Sequence, residues 1–401
     1  MPPFCLFCLF VQFVFLFSLD IVQQYVGVGI QQTVAVQFTA GVPLVAQQFV
    51  GIAVKGHAFG IGQVMSCFML YSYKDAPIKV FGVPNIEKTG VFERVPSDVR
   101  KKLPSLEFLG RRTPGARVCF KTDAPRFTLK IELESVSVDI GMSIYSCQSA
   151  YVYLGKRQNS KLLRIVNPPN YGVTSFEGVI EKGEGVDEIT IWLPRNEVIK
   201  NVEILMADEY KIYPPTEYKY SVPAIYYGSS ITECALASNP CASYNALISR
   251  HLDLDYYNFG FSGSCKGEDE MADYINTLEF SLFVYDYDHN APTPEHLEKT
   301  HERFFKKIRE KNPFVPVIMI SRPTATFGED EKRRRDIVKK TYENALKNGD
   351  KNVYFVDGEE FFKDFEDREV CFTDTVHPTD LGFYKMAEKI EPVIIKALAE
   401  K

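Results

Sequence analysis

The sequence lacks the common metal-ligating spacings. It has no His-Glu-x-x-His, and its six histidines (His57, His251, His289, His296, His301 and His377) are dispersed. His296 and His301 stand five apart in a helical pattern, so they do not share a face. Of nine cysteines only Cys5 and Cys8 have Cys-x-x-Cys spacing, inside an apolar run and without a second pair. An odd, scattered set resembles free thiols more than a disulfide framework. That favours a reducing compartment, cytoplasmic over secreted. Basic charge is not in excess either. Lys and Arg number 46 against 52 Asp and Glu, a net charge of −6, so the footprint of a nucleic-acid binder is missing.

Charge is almost absent from residues 1–68, where Asp20 and Lys55 are the only charged side chains. Phe4 to Phe17 is apolar apart from Gln12. No Lys or Arg precedes this run, no clear Ala-x-Ala site follows, and it is shorter than a membrane span needs. Two readings stand for 1–68: a signal-like segment, or a mistaken upstream start with the working chain beginning near Met65 or Met69. No stable membrane span is expected.

What is present points to two domains, which a chain of 401 residues can support. From 69 to 216 the pattern is strand-like. Arg126–Glu134 and Asp187–Pro194 alternate polar and apolar, which predicts one buried and one wet face for each. Arg117–Lys121, Ala150–Leu154 and Val202–Met206 add short strands between Gly, Pro, Asn and Asp. The set predicts a β-sandwich of jelly-roll type. Tyr213 to Tyr220, with Pro214 and Pro215, reads as a stiff linker. From 222 to 401 strands and helices alternate. Ala224–Gly228, Asp255–Phe259, Ser281–Tyr287, Pro316–Ser321 and Val353–Asp357 read as strands. Pro294–Lys311, Glu329–Asn348 and Thr379–Ala399 read as helices, the last capped by Thr379 with Asp380. This alternation predicts an α/β domain with a parallel sheet between helical layers.

The chain is organised around Ala224-Ile225-Tyr226-Tyr227-Gly228-Ser229-Ser230-Ile231-Thr232. A buried strand ends abruptly in small hydroxyl residues, with a helix expected to start there. Such a hydroxyl would sit at the carboxyl edge of the sheet, where open α/β folds bind ligands. A serine nucleophile needs a base and an orienting carboxylate. Asp374-Thr375-Val376-His377 supplies both from one turn, and acyl hydrolases use the order Ser, Asp, His.

Four blocks in order complete the pattern: Gly228-Ser229-Ser230-Ile231-Thr232, Asn258 to Gly263, Asp288-His289-Asn290-Ala291, and Asp374 to Pro378. With them, residues 222–401 resemble the SGNH hydrolases, also called the GDSL esterase and lipase superfamily. The preceding sandwich resembles a layout met among carbohydrate esterases. The resemblance implies a three-layer α/β/α, flavodoxin-like domain with a five-stranded sheet. It implies Ser230 as nucleophile, Asp374 and His377 as its partners, and an oxyanion hole of Ser230, Gly263 and Asn290. It implies no cofactor or metal and a small-molecule or glycan ester as substrate. Two departures stand out: Ser229 replaces the usual Asp, and the third block lacks its usual Gly and trailing Asp.

Other readings remain open beside this one. Asp286, Asp288 and His289 are clustered as metal ligands could be, yet neighbouring strand positions point to different faces. His289 could instead line a substrate pocket. Arg322, at the same sheet edge, could contact an acid or sugar group or form a salt bridge. The expected activity is removal of short acyl groups through an acyl-enzyme. The rival is a carbohydrate-binding protein with an inactive hydrolase domain, for which an exposed Tyr or Trp platform, Trp192 being the only Trp, would speak.

Overall fold

The computed structural model describes residues 67–137, 139 and 141–400. The two readings of the N-terminal segment lie outside them, except that the first strand already begins at Phe68. No helix among the described residues is long and apolar enough to cross a membrane.

Ten strands make the sandwich: β1 (Phe68–Ser72), β2 (Lys79–Phe81), β3 (Arg117–Thr122), β4 (Arg126–Leu133), β5 (Ala150–Leu154), β6 (Lys161–Val166), β7 (Ser175–Glu181), β8 (Asp187–Trp192), β9 (Ile199–Ala207) and β10 (Ile212–Tyr213). One antiparallel sheet runs β1-β9-β4-β7. The other runs β10-β3-β8-β5-β6, with β2 on β3. Alternation in β4 places Phe127, Leu129, Ile131 and Leu133 inward, where they meet Val118, Phe120, Val152, Ile189, Ile191, Val202 and Ile204.

The expectation of a wet outer face holds for β4 and fails for β8. In β8 every residue from Glu188 to Trp192 is buried. The reason is a second partner. The outer face of this sheet lies against the α/β domain, and Tyr151 and Trp192 belong to the same apolar cluster as Tyr226 and Tyr244. A sheet covered on both faces loses its polar stripe.

The α/β domain is built on β11 (Tyr220–Gly228), β12 (Leu254–Gly260), β13 (Leu282–Asp286), β14 (Val317–Ile320) and β15 (Val353–Val356), all parallel, in the order β12-β11-β13-β14-β15. Its helices are α1 (Tyr244–Leu252), α2 (Asp269–Ile275), α3 (Pro294–Lys311), α4 (Glu329–Lys347) and α5 (Asp380–Ala399). Side chains of β11 alternate between two layers. Ala224 and Tyr226 pack with α1 and α5, whereas Ile225 and Tyr227 pack with α2, α3 and α4. Thr293 caps α3 by accepting the His296 N–H, and Thr379 caps α5 by accepting the Gly382 N–H. The Tyr213–Tyr220 segment is held in place: Arg157 donates to the Thr216 and Glu217 carbonyls and stacks on the buried Tyr218 ring at 3.5 Å.

Candidate active site

The strand order reverses at β11, between β12 and β13, and the carboxyl edge there is the topological switch point of an open α/β sheet. Ser230 follows β11, Gly263 follows β12, Asn290 follows β13, and Arg322 follows β14. His377 comes from the loop before α5.

The expected helix start at Ser229-Ser230 is not found. One helical turn forms, with the Glu233 N–H bonded to the Ser229 carbonyl at 3.0 Å. Cys234 (φ 79°) and Leu236 (φ 64°) then enter the left-handed region and end it, and α1 begins only at Tyr244. The turn is gripped by Thr232 and by side chains of α1, β12 and β13. Thr232 donates its hydroxyl to Asp286, Tyr244 donates to the other Asp286 oxygen at 3.0 Å, and Asn245 and Asn258 donate to the Thr232 carbonyl. Two glycines allow this closeness. A Cβ on Gly228 would lie 1.7 Å from Asp286 Oδ1, and one on Gly260 would lie 2.1 Å from the Glu233 nitrogen. Burial pushes the Asp286 carboxyl up to about 7 although Thr232 and Tyr244 oppose it.

Ser230 Oγ lies 2.8 Å from His377 Nε2, and His377 Nδ1 lies 2.8 Å from Asp374 Oδ2. The other Asp374 oxygen accepts the backbone N–H groups of Val376 and His377. Burial works to raise the Asp374 carboxyl, but those N–H groups and the His377 ring outweigh it and hold it below its ordinary value. The loop is closed by a bridge between Phe372 and Pro378. Ser229 faces elsewhere: it is fully buried, and its hydroxyl accepts the Ile231 N–H at 3.2 Å. The hydroxyl at the usual Asp position therefore caps its own turn, while Asp286 on the neighbouring strand supplies a carboxylate beneath it.

On the other side of Ser230, the Gly263 N–H donates to Asn290 Oδ1 at 3.1 Å, and Asn290 Nδ2 donates to the Phe261 carbonyl at 3.0 Å. One Nδ2 hydrogen stays uncommitted in that arrangement. His289 is turned to the Pro323 carbonyl at 2.9 Å, and burial, aided by the Arg322 charge, brings it down to about 4, so it is neutral at pH 7. Arg322 is occupied by Asp288, through its Nε at 2.5 Å and its backbone N–H at 2.9 Å. Asp286, Asp288 and His289 thus serve three separate partners. No group of three ligand-type side chains among the described residues could hold a metal ion.

Sequence reasoning missed Glu233, Arg94 and Tyr244. For these three the one signal was indirect: their neighbour Asp286, a carboxylate ending an otherwise apolar strand.

Comparisons with known proteins agree with this fold. Residues 221–395 match the family model of the GDSL-like lipase/acylhydrolase family. Among solved structures, the chain is similar to a putative GDSL-like lipase from Bacteroides ovatus ATCC 8483, with TM-score 0.74 and 24% identity over 83% of this chain and 98% of that one. It is also similar to the salicylyl-acyltransferase SsfX3 of a tetracycline biosynthetic pathway, with TM-score 0.69 and 21% identity over 82% and 98%. A family two carbohydrate esterase from Cellvibrio japonicus gives TM-score 0.57 and 13% identity over 84% and 99%. No curated protein matches the chain in sequence. These likenesses run through sandwich and α/β domain together. The chain thus has the fold of the SGNH hydrolases, and its residues 221–395 match a family of carboxylic ester hydrolases of the GDSL type.

Proposed function

We propose that the protein removes short acyl groups, acetyl foremost, from a carbohydrate or small-molecule ester through an acyl-enzyme on Ser230. The observation that carries this reading is the unbroken contact chain from Ser230 Oγ through His377 to Asp374, 2.8 Å at each step. An ionised Asp374 can only accept, so Nδ1 carries the proton and Nε2 is free to take one.

Ser230 Oγ attacks the ester carbonyl carbon and forms a C–O bond while its proton passes to His377 Nε2. The tetrahedral intermediate collapses, the bond to the alcohol oxygen breaks, and Nε2 returns the proton to that oxygen. Water then repeats the sequence on the acyl-enzyme, giving the free acid and Ser230. The Ser230 N–H, the Gly263 N–H and the Asn290 amide are the donors for the oxyanion. Asn290 Oδ1 holds the Gly263 N–H until the oxyanion competes for it.

The substrate class is supported by two features. Asp374 and His377 keep 48% and 24% of their side chains exposed, an open setting that admits a bulky alcohol. The two-domain layout is also that of the Cellvibrio japonicus carbohydrate esterase. The rival reading as a binding protein gets no help from Trp192, which is buried and unavailable as a sugar platform.

Hydrolysis of 4-nitrophenyl esters of increasing chain length tests the reading. Ser230→Ala should abolish turnover, Ser229→Ala should keep it, and acetate should be preferred. Loss of activity in Ser229→Ala alone would move the nucleophile by one residue. Equal rates for wild type and Ser230→Ala would sink the mechanism.

A further inference from the structure

A buried ion pair joins the two domains directly behind Ser230. Arg94, from the sandwich side, lies 3.2 Å from Glu233, and both side chains are all but inaccessible, at 0% and 2% exposure. All five guanidinium N–H groups of Arg94 find acceptors: Nε on the Arg112 carbonyl, one terminal nitrogen on the Asn258 and Gly260 carbonyls, the other on the Leu109 carbonyl and Glu233 Oε1. The same group stacks over the Phe261 ring at 4.3 Å. Arg94 therefore grips the end of β12 and the first residue after it. Glu233 Oε2 then accepts the Ser262 N–H at 2.8 Å, one residue before Gly263. Glu233 itself lies three residues after Ser230, and its carbonyl accepts from Arg195 at 3.4 Å.

We infer that Arg94 and Glu233 are positioning residues for the oxyanion side of the site: Arg94 fixes the Glu233 carboxylate, and that carboxylate sets the Ser262–Gly263 backbone against the Ser230 turn. The inference rests on the roles given above to Ser230 and Gly263. Two facts separate it from a plain structural salt bridge. Replacing a buried ion pair by apolar groups is often neutral or stabilising, so stability alone is a weak reason for it. And the second oxygen of Glu233 is directed at the loop that carries Gly263, where a displacement of about 1 Å costs about 100-fold in rate.

The experiment separates the acceptor from the charge. Glu233→Leu removes both. Glu233→Gln keeps an acceptor for Ser262 and removes the charge. Both leave Arg94 unpaired, so their melting temperatures should fall alike. The kcat for 4-nitrophenyl acetate should fall about 100-fold in Glu233→Leu with KM nearly unchanged, and should largely recover in Glu233→Gln. Should Glu233→Leu fail to fold, both substitutions are remade on Arg94→Met, which removes the stranded charge; the Leu variant should again be the slower, by a smaller factor because Arg94 no longer fixes the acceptor. The rate of Ser230 phosphonylation by an aryl fluorophosphonate, whose tetrahedral adduct needs the same donors, should follow kcat. Equal loss of kcat in the Gln and Leu variants, or full activity in the Leu variant, overturns the inference while a dead Ser230→Ala leaves the mechanism standing. Wild type and Ser230→Ala that react alike overturn both.

Discussion

The interior of the sandwich and its junction with the α/β domain are both buried, yet they are made of different material. The interior is largely apolar, from Val118 and Phe120 to Val202 and Ile204, and carries no ion pair among these residues. The junction carries arginines. Arg94 meets Glu233, Arg117 meets Asp255 at 2.7 Å, and Arg157 meets Asp253 at 2.9 Å. Apolar packing rewards area and tolerates small slips. A guanidinium with fixed donors tolerates none. The interior holds the sandwich together, whereas the junction fixes where the sandwich sits on β12, the strand that leads to Gly263.

Four substitutions, at Arg117, Asp255, His301 and Ile131, can break or sharpen this contrast. Arg117→Met should cost most, about 3–5 kcal/mol in urea unfolding, because Asp255 is left buried without its partner. Adding Asp255→Leu should recover most of that loss. A double variant as unstable as the single one would mean that the pair contributes far more than charge cancellation.

His301 gives the intermediate case, a buried polar side chain without an ion-pair partner, on which the Asp288 and Glu302 charges act too weakly to offset burial. It stacks on Tyr285 at 4.6 Å and shares a hydrogen bond with Thr341 at 2.8 Å, and burial brings its pKa down to about 3. The unfolded chain therefore binds a proton that the folded chain refuses between about pH 6.5 and pH 3. Stability is lost as pH falls through that window, by up to about 1.4 kcal/mol per unit from this group. His301→Phe should flatten the slope relative to wild type. An unchanged slope would show that His301 is protonated in the fold. The smallest effect is expected for Ile131→Val in the sandwich interior, about 0.5–1.5 kcal/mol with kcat unchanged. A fall in kcat per folded molecule would contradict the separation of interior from junction.

Local rules were legible wherever one physical effect dominated. Strict alternation gave β4 to within a residue, punctuation by Gly, Pro, Asn and Asp gave β5 outright, and helical spacing gave α3 outright. β7 was hidden because Gly178 sits mid-strand, where a Cβ would come within 2.9 Å of Val166. β6 was hidden because Lys161–Val166 does not alternate. Short α2 and the polar residues of α1 weakened their period. At the site, Ser230 and the Asp374–His377 pair stood out because each is a local motif at the end of an element. The partners of His289 and Arg322 were not legible. Nor was the bond between Arg94 and Glu233, 139 positions apart, because a pair at that distance leaves no trace in spacing.

Trp192 lies at this same junction, with the Arg117 guanidinium 5.2 Å above its ring. As the sole indole of the chain, it is the one chromophore that can be excited selectively at the red edge of protein absorption. Its emission therefore reports on the seam between the domains and on nothing else. Water reaching that seam would shift the emission to longer wavelength without any label.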